Sequence, residues 1–506
     1  MKKNYSLRPL TLLFLLLQAA TLDANTTAKL TFDPPRGFYD QPFQLTITAP
    51  VENATIRYTL NGKDPLTHSS AVSGPSPLTL TVDPDNFTNR DYAPAVCVRA
   101  IAIAGDTLAS NLGTHTYIFV DKITTHSRDN TRPGPDWPQQ GSTVNGQKMD
   151  YGMDASVANG PLYRNKMRAA MTDIPSMSMV MDLADLFDPS YGIYVNAVDR
   201  GEEWERPCSL ELIHPDGADG FHINCGVRIR GGYSRVPSNP KHAFRYFFRS
   251  DYGEAKLKHP LFEDEGVDEF DKIDLRTSQN YSWAYGAGSR DGNAERNTML
   301  REVFSRDLQR DMGQPYTRSR YYHLFINGTY WGLFQTQERS EASFAESYFG
   351  GREEDYDAIK VDAGYGRPYV MEAANGTLDA WNELWSLAKG GLSDKASFNR
   401  IQGLNPDNTP NPDYPKYVDL DNLIDYMIDT YFVGDFDAPI SEFINNNRGA
   451  NNFWGTYNRV TPDGFKFYRH DAEHSLFNVN ESRIGPYPAG EQREQFNPQW
   501  LHQQLT

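Results

Sequence analysis

The chain has 506 residues, more than one ordinary hydrophobic core accommodates, so we expect two or three domains. Its composition, 39% hydrophobic, 13% aromatic and 23% charged, provides for a sizeable core and excludes a disordered protein. The formal net charge of −17 argues against a general binder of nucleic acids or anionic membranes, because both attract Lys and Arg.

The N-terminus has the features of a secretory leader. Lys2 and Lys3 precede an apolar run at 10–17, and small residues follow at Ala20 and Ala24. This order predicts a signal peptide over residues 1–24. A membrane anchor is the alternative, but the run is shorter than the ~20 residues of a membrane span. We therefore expect a bacterial protein that is secreted or displayed at the cell surface, without a transmembrane span.

Residues 28–120 have the pattern of short strands separated by turns that contain Gly, Pro and Asn. Strands at this regular spacing predict a small β-sandwich. Residues 121–175 are rich in Pro, Gly, Asp and Asn, which predicts a linker with little regular structure.

The three cysteines do not form a disulfide scaffold. Cys208 and Cys225 bracket a predicted hairpin with strands at 208–214 and 221–229, which sets them nearly opposite each other. A disulfide bridge and a pair of buried free thiols are both compatible with this position. Cys97 is expected to be a core residue.

From residue 176 onwards the pattern is that of an α+β domain. Four strands are followed by a helix within 295–313, whose apolar residues recur at helical spacing. A hairpin turned by Asn327 and Gly328 follows, then helices at 379–389 and 421–434 and a last strand pair. Strands, then one helix, then a helical half with acidic loops is the order of a two-lobed kinase.

Lys241 starts a strand in which His242, Phe244, Tyr246 and Phe248 share one face. The preceding loop contains Gly and Ser and carries arginines, so this part of the chain could cover phosphates. A surface hairpin with a solvated lysine is the simpler interpretation, because no G-x-G-x-x-G pattern is present.

The acidic residues near the C-terminus are more informative. Asp437 follows a helix, Asn452 comes next, and Asp471 and Glu473 lie just past a strand. Phosphoryl transfer requires a carboxylate for the attacking hydroxyl, and an Asn and an Asp for Mg²⁺. Helix and turn capping would explain any one of these residues alone. A calcium loop is not indicated, because no D-x-[DN]-x-[DN]-G motif occurs.

Two resemblances add to these patterns. The segment "IRYTLNGKDP", with "PPRGFYDQPFQLTI" before it, resembles the C-terminal domain of chitobiase and β-hexosaminidase enzymes. The resemblance implies an immunoglobulin-like accessory sandwich with no catalytic residues and a potential contact with polysaccharide.

The second resemblance covers about residues 175–500. Five motifs in order, "RIRG" with "PK", "LRE" with "RDMG", "INGTYWGLFQTQER", "GDFD" with "NNFW", and "FYRHDAEHSLF", resemble the CotH (spore coat protein H) kinase family. The resemblance implies an atypical protein-kinase fold over 176–506 that uses ATP and Mg²⁺, with Mn²⁺ as an alternative metal.

Residue by residue, the resemblance implies that Lys241 anchors the phosphates and Asp437 orients the substrate hydroxyl. Asn452 and Asp471 would hold the metal, with Glu473 as a further ligand. The remaining nucleotide-side candidates are Arg230, Ser234, Glu302 as the partner of Lys241, and Glu338.

Three features depart from the family pattern. The last motif is His470-Asp471-Ala472-Glu473 where many members have Trp-Asp-x-Asp, and a Pro- and Asn-rich insertion separates Asp437 from Asn452. The family also continues beyond the end of this sequence with more helix, so the C-terminal lobe is expected to be incomplete. His470 and His474 do not fit a zinc ligand set.

The leading hypothesis is an ATP-dependent kinase that phosphorylates Ser or Thr on an exported or surface protein. The alternative is a non-catalytic surface or carbohydrate-associated binding protein that keeps the kinase scaffold. A glycoside hydrolase using Asp435 and Asp437 ranks below both, since their spacing does not establish the required separation.

Overall fold

The computed structural model describes residues 28–126, 132–277, 297–361 and 369–505. The predicted signal peptide at 1–24 lies outside these residues. The described chain is an α+β protein with many strands, as expected from the sequence.

The N-terminal part contains two sheets that enclose a common core. Strands β1, β3 and β6 form one sheet, and β2, β9, β7, β4 and β5 form the other, with β8 paired to β7. Alternate residues of the strands, such as Leu45 and Ile47 of β3, are fully buried between the sheets. The strands are β1 (Thr31–Asp33), β2 (Gly37–Phe38), β3 (Phe43–Thr48), β4 (Thr55–Thr59), β5 (Val72–Pro75), β6 (Leu78–Val82), β7 (Ala95–Ala104), β8 (Thr107–Leu108) and β9 (Gly113–Ile118).

The segment expected to be a linker with little regular structure contains helices and a hairpin, so that expectation is wrong. Its elements are α1 (Val120–His126), β10 (Gly141–Val144), β11 (Gln147–Met149), α2 (Ala155–Ala158) and α3 (Met167–Thr172). Trp137, Met149 and Tyr151 are buried in the core of the domain that follows. These large side chains fasten the segment to that domain despite its many Pro and Gly residues.

The next part is a closed barrel in the order β12, β13, β14, β15, β18, β20, β19, and the parallel pairing of β12 with β19 completes it. The side chains of His242, Phe244, Tyr246 and Phe248 are buried, as the alternation in the sequence predicted. The elements are β12 (Ser176–Val180), α4 (Leu183–Phe187), β13 (Arg206–Ile213), β14 (His222–Arg230), β15 (Ala243–Phe247), β16 (Leu257–Lys258), β17 (Glu269–Phe270), β18 (Lys272–Arg276), α5 (Arg301–Asp311), β19 (Tyr321–Ile326) and β20 (Thr329–Gln337).

The C-terminal part is built on a sheet in the order β22, β21, β26, β27, β23. Its core combines Trp381 of α7 and Trp500 of α10 with Phe453 and Phe467 of the central strands. The elements are α6 (Ala342–Phe349), β21 (Tyr356–Val361), β22 (Met371–Asn375), α7 (Asp379–Lys389), α8 (Lys395–Arg400), β23 (Lys416–Val418), α9 (Leu420–Val433), β24 (Ile440–Ser441), β25 (Gly449–Ala450), β26 (Phe453–Asn458), β27 (Asp463–Arg469) and α10 (Pro498–Leu505).

Helix α5 buries the opposite face from the one that the sequence pattern indicates. Its buried residues are Glu302, Ser305, Arg306 and Gln309, which recur at helical spacing. The apolar residues Leu300 and Phe304 are instead 57% and 40% exposed. The predicted helix is present, but its orientation follows the polar side chains, because these make buried hydrogen bonds with the elements around them.

The N-terminal sheets are joined to the barrel by buried polar contacts. Glu211 of β13 is fully buried and accepts hydrogen bonds from the backbone N–H of Thr116, at 3.2 Å, and from its hydroxyl. Arg36 lies 3.7 Å from the same carboxylate. Among the helices in the described ranges, none combines the length and apolar character that crossing a membrane requires.

Candidate functional site

Asp437 lies at the centre of the site, four residues after Val433, the last residue of helix α9. Gly434 ends that helix with a left-handed φ of 61°, a conformation that suits glycine, and turns the chain toward the sheet. The backbone N–H of Asp437 then donates to the carboxylate of Asp435 at 3.0 Å. This short turn fixes the direction of the Asp437 side chain.

The carboxylate of Asp437 is held by three hydrogen-bond donors. One oxygen accepts from the amide of Asn451 at 3.1 Å and from the hydroxyl of Ser441. The other accepts from the amide of Asn452 at 2.9 Å. Burial outweighs these bonds and raises the pKa of Asp437 to about 7.

The insertion between Asp437 and Asn452 does not separate them. Strands β24 and β25 pair antiparallel, with Ser441 opposite Gly449, and close the insertion into a loop. The two ends of the loop are thereby brought together, and Asn452 turns its amide toward Asp437 in a left-handed conformation with φ 49°.

Asp471 approaches the site from the turn after β27. Asp471 has a left-handed φ of 57°. Its backbone N–H donates to the Glu302 carboxylate at 3.2 Å, and the backbone N–H of Ala472 donates to the other oxygen of the same carboxylate. The Asp471 carboxylate contacts the guanidinium of Arg276, at the end of barrel strand β18. Burial acts to raise the pKa of Asp471, but the charge of Arg276 outweighs it and lowers the pKa.

Arg276 also contacts the other two acids of the site. Its guanidinium lies 3.6 Å from Glu302 and 3.4 Å from Glu473. Burial raises the pKa of Glu473 to about 8, whereas the charges of Arg306 and Arg276 overcome burial at Glu302 and lower its pKa strongly. One arginine therefore joins three carboxylates from distant parts of the chain.

His474 and Arg469 complete the surroundings of Asp437. The His474 ring lies 3.7 Å from the Asp437 carboxylate, and burial lowers its pKa to about 4, which favours the neutral ring. Arg469 is buried and donates to Ser305 at 2.7 Å, to Thr430 at 2.9 Å and to Asp435 at 2.6 Å. It links α5, α9 and the Asp435–Asp437 turn.

A second charged cluster lies on the outer face of the barrel. The buried carboxylate of Asp274 accepts from Arg230 at 2.9 Å, from Arg245 at 2.6 Å and from Arg339 at 3.4 Å. Burial acts to raise the pKa of Asp274, but these guanidinium groups hold it well below its usual range. The charge of Arg230 also contributes to lowering the pKa of Asp471, so the two clusters are electrostatic neighbours.

The predicted site residues divide into two groups. The structure brings together Asp437, Asn452, Asp471, Glu473 and Glu302, with Arg230 nearby. Ser234 folds into its own loop, where its carbonyl accepts from His242 at 3.0 Å. Glu338 is bound by Arg318, at 3.0 Å, and by the hydroxyl of Tyr348, and burial raises its pKa.

The predicted pairing of Lys241 with Glu302 is wrong. The ammonium of Lys241 donates to the carbonyl of Asp150 at 2.6 Å and lies 4.2 Å from the centre of the Trp331 ring. Burial lowers its pKa to about 8. The cations that contact Glu302 are Arg306, at 2.6 Å, and Arg276, because α5 turns this glutamate toward β18 and the Asp471 turn.

The donor atoms of the site suit a hard divalent cation held jointly with phosphates. Among the residues that the structure describes, no three His, Cys, Asp or Glu side chains form a metal cluster of their own. Mg²⁺ on a triphosphate requires only one or two carboxylates from the protein. Asp471 and Asn452 provide such oxygens, and the amide oxygen of Asn451 is buried without a hydrogen-bond partner in the described structure.

Sequence reasoning missed several residues of the site, among them Arg276 and Asn451. Arg276 lies at the end of a strand whose pattern, "KIDLR", contains no motif, and only its place in the barrel brings it to the acids. Asn451 precedes the selected Asn452, and the pair of adjacent amides could have indicated both.

Two family models match parts of the chain. The family model described as CotH kinase protein matches residues 227–501, which is more than half of the chain and includes the acidic cluster of Glu302, Asp437, Asp471 and Glu473. The model described as Chitobiase/beta-hexosaminidase C-terminal domain matches residues 34–85. A search of the curated proteins found no match.

Proposed function

The chain belongs to the CotH kinase protein family, and from this membership and the geometry around Asp437 we propose that it is a protein kinase. It transfers the γ-phosphoryl group of ATP to a Ser or Thr hydroxyl of an exported or surface protein. The barrel serves as the first lobe of a kinase-like fold, and the β21–β27 sheet with its helices serves as the second. The N-terminal sheets form the immunoglobulin-like accessory module.

The observation that carries the proposal is the state of Asp437. Its carboxylate is buried, oriented by Ser441, Asn451 and Asn452, and has a pKa of about 7. A general base is most effective when its pKa is close to the working pH. Asp437 accepts the proton of the substrate hydroxyl as the new O–P bond forms and the bond to the ADP leaving group breaks.

The other residues of the cluster bind and orient the phosphates. Arg276 and Arg230 provide positive charge at the barrel side of the site, and Glu302 fixes Arg276 from α5. Asp471 and Asn452, with Glu473, would hold Mg²⁺ or Mn²⁺. The metal supplies charge neutralisation on the transferred phosphoryl group. The role first assigned to Lys241 passes to Arg276, which contacts the acids directly.

Location and partners complete the proposal. The leader-like N-terminus supports secretion or display at the cell surface. The match to the chitobiase-type domain supports contact with polysaccharide through the N-terminal module.

A non-catalytic scaffold is the second candidate, and one observation favours it. Arg276 already neutralises Asp471 and approaches Glu473, so the acids are balanced by a side chain of the protein itself. A binding protein that retains the fold would keep this arrangement without turnover.

A phosphoryl-transfer assay separates the two candidates. Purified full chain is incubated with Mg²⁺ and γ-labelled ATP and a mixture of exported proteins, beside Asp437→Asn, Asp471→Asn and, as the matched control, the exposed Asp413→Asn. Label transferred by wild type and Asp413→Asn, but not by the other two, supports the kinase. Equal labelling by all four proteins excludes the assigned centre. If the wild type transfers no label and Mg-ATP does not change its melting temperature, the kinase hypothesis is excluded and the non-catalytic scaffold remains.

A further inference from the structure

The two cysteines of the β13–β14 hairpin face each other inside the barrel. Cys208 and Cys225 are directly opposite in the antiparallel register, and their sulfur atoms are 3.5 Å apart. Both side chains are buried, and both are free thiols in this structure. A disulfide needs a sulfur separation of about 2.05 Å and Cβ atoms about 3.5–4.5 Å apart. Directly opposite positions of neighbouring antiparallel strands have Cβ atoms about 4.5–5.5 Å apart, and closer in non-hydrogen-bonded pairs, so the second requirement needs only a small approach of the two Cβ atoms.

We propose that Cys208 and Cys225 are a disulfide site, and that the chain closes this bridge when it folds in an oxidising medium. Small side-chain rotations bring the sulfur atoms into bonding distance, while the strands keep their register. The proposal concerns the barrel and is independent of phosphoryl transfer.

The oxidant is a disulfide, either a small molecule such as oxidised glutathione or a protein disulfide. The thiolate of one cysteine attacks the oxidant, forms a mixed disulfide and releases one thiol. The thiolate of the second cysteine then attacks the cysteine sulfur of the mixed disulfide and releases the other thiol. The two cysteines lose two protons and two electrons, and the oxidant becomes two thiols.

The fold indicates when the reaction occurs and which cysteine is left out. Burial raises the pKa of Cys225 well above its usual value, so few thiolates form once the barrel has closed. The hairpin is local, because the two positions are 17 apart in the sequence, and it can pair before the barrel closes. Cys97 lies in β7 of the N-terminal sheets, where the Thr116 hydroxyl contacts its sulfur at 3.5 Å, and it remains a free thiol.

The bridge would hold the hairpin that leads to the site. Strand β14 ends at Arg230, five residues after Cys225, and Arg230 binds Asp274 at 2.9 Å. A fixed β13–β14 register keeps this arginine on the correct face, because a slip by one residue would turn it to the other side.

The test uses the full chain, unfolded in guanidinium and refolded in a mixture of oxidised and reduced glutathione. The folded fraction is denatured in guanidinium that contains iodoacetamide and no reductant, so that free thiols are alkylated. It is then digested with trypsin plus a glutamyl protease. Trypsin alone leaves both cysteines in one peptide, because no Lys or Arg lies between Cys208 and Cys225, whereas cleavage after Glu211 separates them. We expect a linked Cys208–Cys225 peptide, a mass 2 Da below the reduced chain, and alkylation of Cys97 alone.

A stability measurement provides the second readout. A reductant should lower the melting temperature of the oxidised wild type by about 5 °C. It should leave the Cys208→Ala/Cys225→Ala variant unchanged, and the Cys97→Ser control should behave as wild type. Alkylation of all three cysteines in the refolded wild type, or a link that involves Cys97, would overturn the proposal even if the double variant fails to fold.

Discussion

The guanidinium of Arg276 contacts the carboxylate of Asp471, and this contact joins a barrel strand to the turn that follows β27. The Glu302 carboxylate accepts hydrogen bonds from the backbone N–H groups of Asp471 and Ala472 in that turn, and it lies 3.6 Å from the same arginine. The barrel, helix α5 and the C-terminal sheet therefore meet at one buried ion cluster. The predictions below examine its members one at a time.

Replacing Arg276 should affect the site more than replacing Lys241. Arg276→Met leaves Glu302, Asp471 and Glu473 without their shared cation, and loss of one partner of a buried ion pair costs about 3–5 kcal/mol. We expect urea unfolding to show this loss and labelling to fall at least about 100-fold. Lys241→Met removes a cation that contacts Asp150 and Trp331, and should largely preserve the labelling. The reverse order of effects would return the phosphate-anchoring role to Lys241.

Asp471 should couple the binding of metal to that of nucleotide. Mg-ATP that binds only the native state raises the melting temperature of the wild type, and a concentration 100 times Kd adds about 2.7 kcal/mol. In Asp471→Asn, ATP alone should raise the melting temperature as it does in the wild type. The further increase in melting temperature that Mg²⁺ adds should be lost. Differential scanning fluorimetry with ATP, Mg²⁺ and both together measures this. An identical Mg-ATP shift in the variant and in the Asp413→Asn control would remove Asp471 from the metal site.

Asp437 should produce a pH dependence in both activity and stability. Its pKa of about 7 requires activity to rise with pH up to about 7, as the carboxylate ionises. Its folded-state pKa lies above the unfolded value of about 3.9, so the native state binds the extra proton and the contribution to stability falls as pH rises between about 4 and 7.

Asp437→Asn should therefore be inactive and gain stability relative to wild type at high pH. We expect the difference in unfolding free energy between variant and wild type to increase by about 2.6 kcal/mol from pH 5 to pH 8. Urea titrations at the two pH values measure it. A constant difference would show that Asp437 does not titrate in this range.

Asp274 should behave in the opposite way. Its pKa is held well below the usual range by Arg230, Arg245 and Arg339, so it stabilises the fold fully above its unfolded pKa of about 3.9. This contribution is lost as pH falls through the lower, folded-state value. Asp274→Asn should lose about 3–5 kcal/mol at pH 7, because the buried Arg230 and the partly buried Arg245 and Arg339 lose their common partner. The gap between the wild-type and variant unfolding free energies should narrow below pH 4, and a gap independent of pH would contradict the ion cluster.

Much of the fold follows from local patterns in the sequence. The strands predicted at 208–214 and 221–229 are present as β13 and β14. The hairpin turned at Asn327 and the helix over 379–389 also occur where turn residues and helical spacing predict them. These elements are specified by residues close together in the chain, which is why periodicity identifies them.

The parts that could not be predicted depend on long-range packing. Helix α5 has an apolar stripe, but its polar face is buried because Ser305 and Gln309 bond to α9 and β27. The position of Arg276 likewise depends on barrel closure. The sequence provides the types of residue in the acidic cluster, and the contact of Asp437 with Asn452 is present, but the roles of these residues await the experiments above.

The inward polar face of α5 ties the helix to the C-terminal sheet. Gln309 donates to the carbonyl of Phe467 at 2.7 Å and accepts from the N–H of Arg469 at 3.1 Å, and Ser305 donates to Asp429 at 3.1 Å. A swing of this helix would break bonds that end at the strand and turn carrying the acids. Displacement of α5 would thus disrupt the contacts that position Asp471 and the Asp435–Asp437 turn, even if nothing contacted these acids directly.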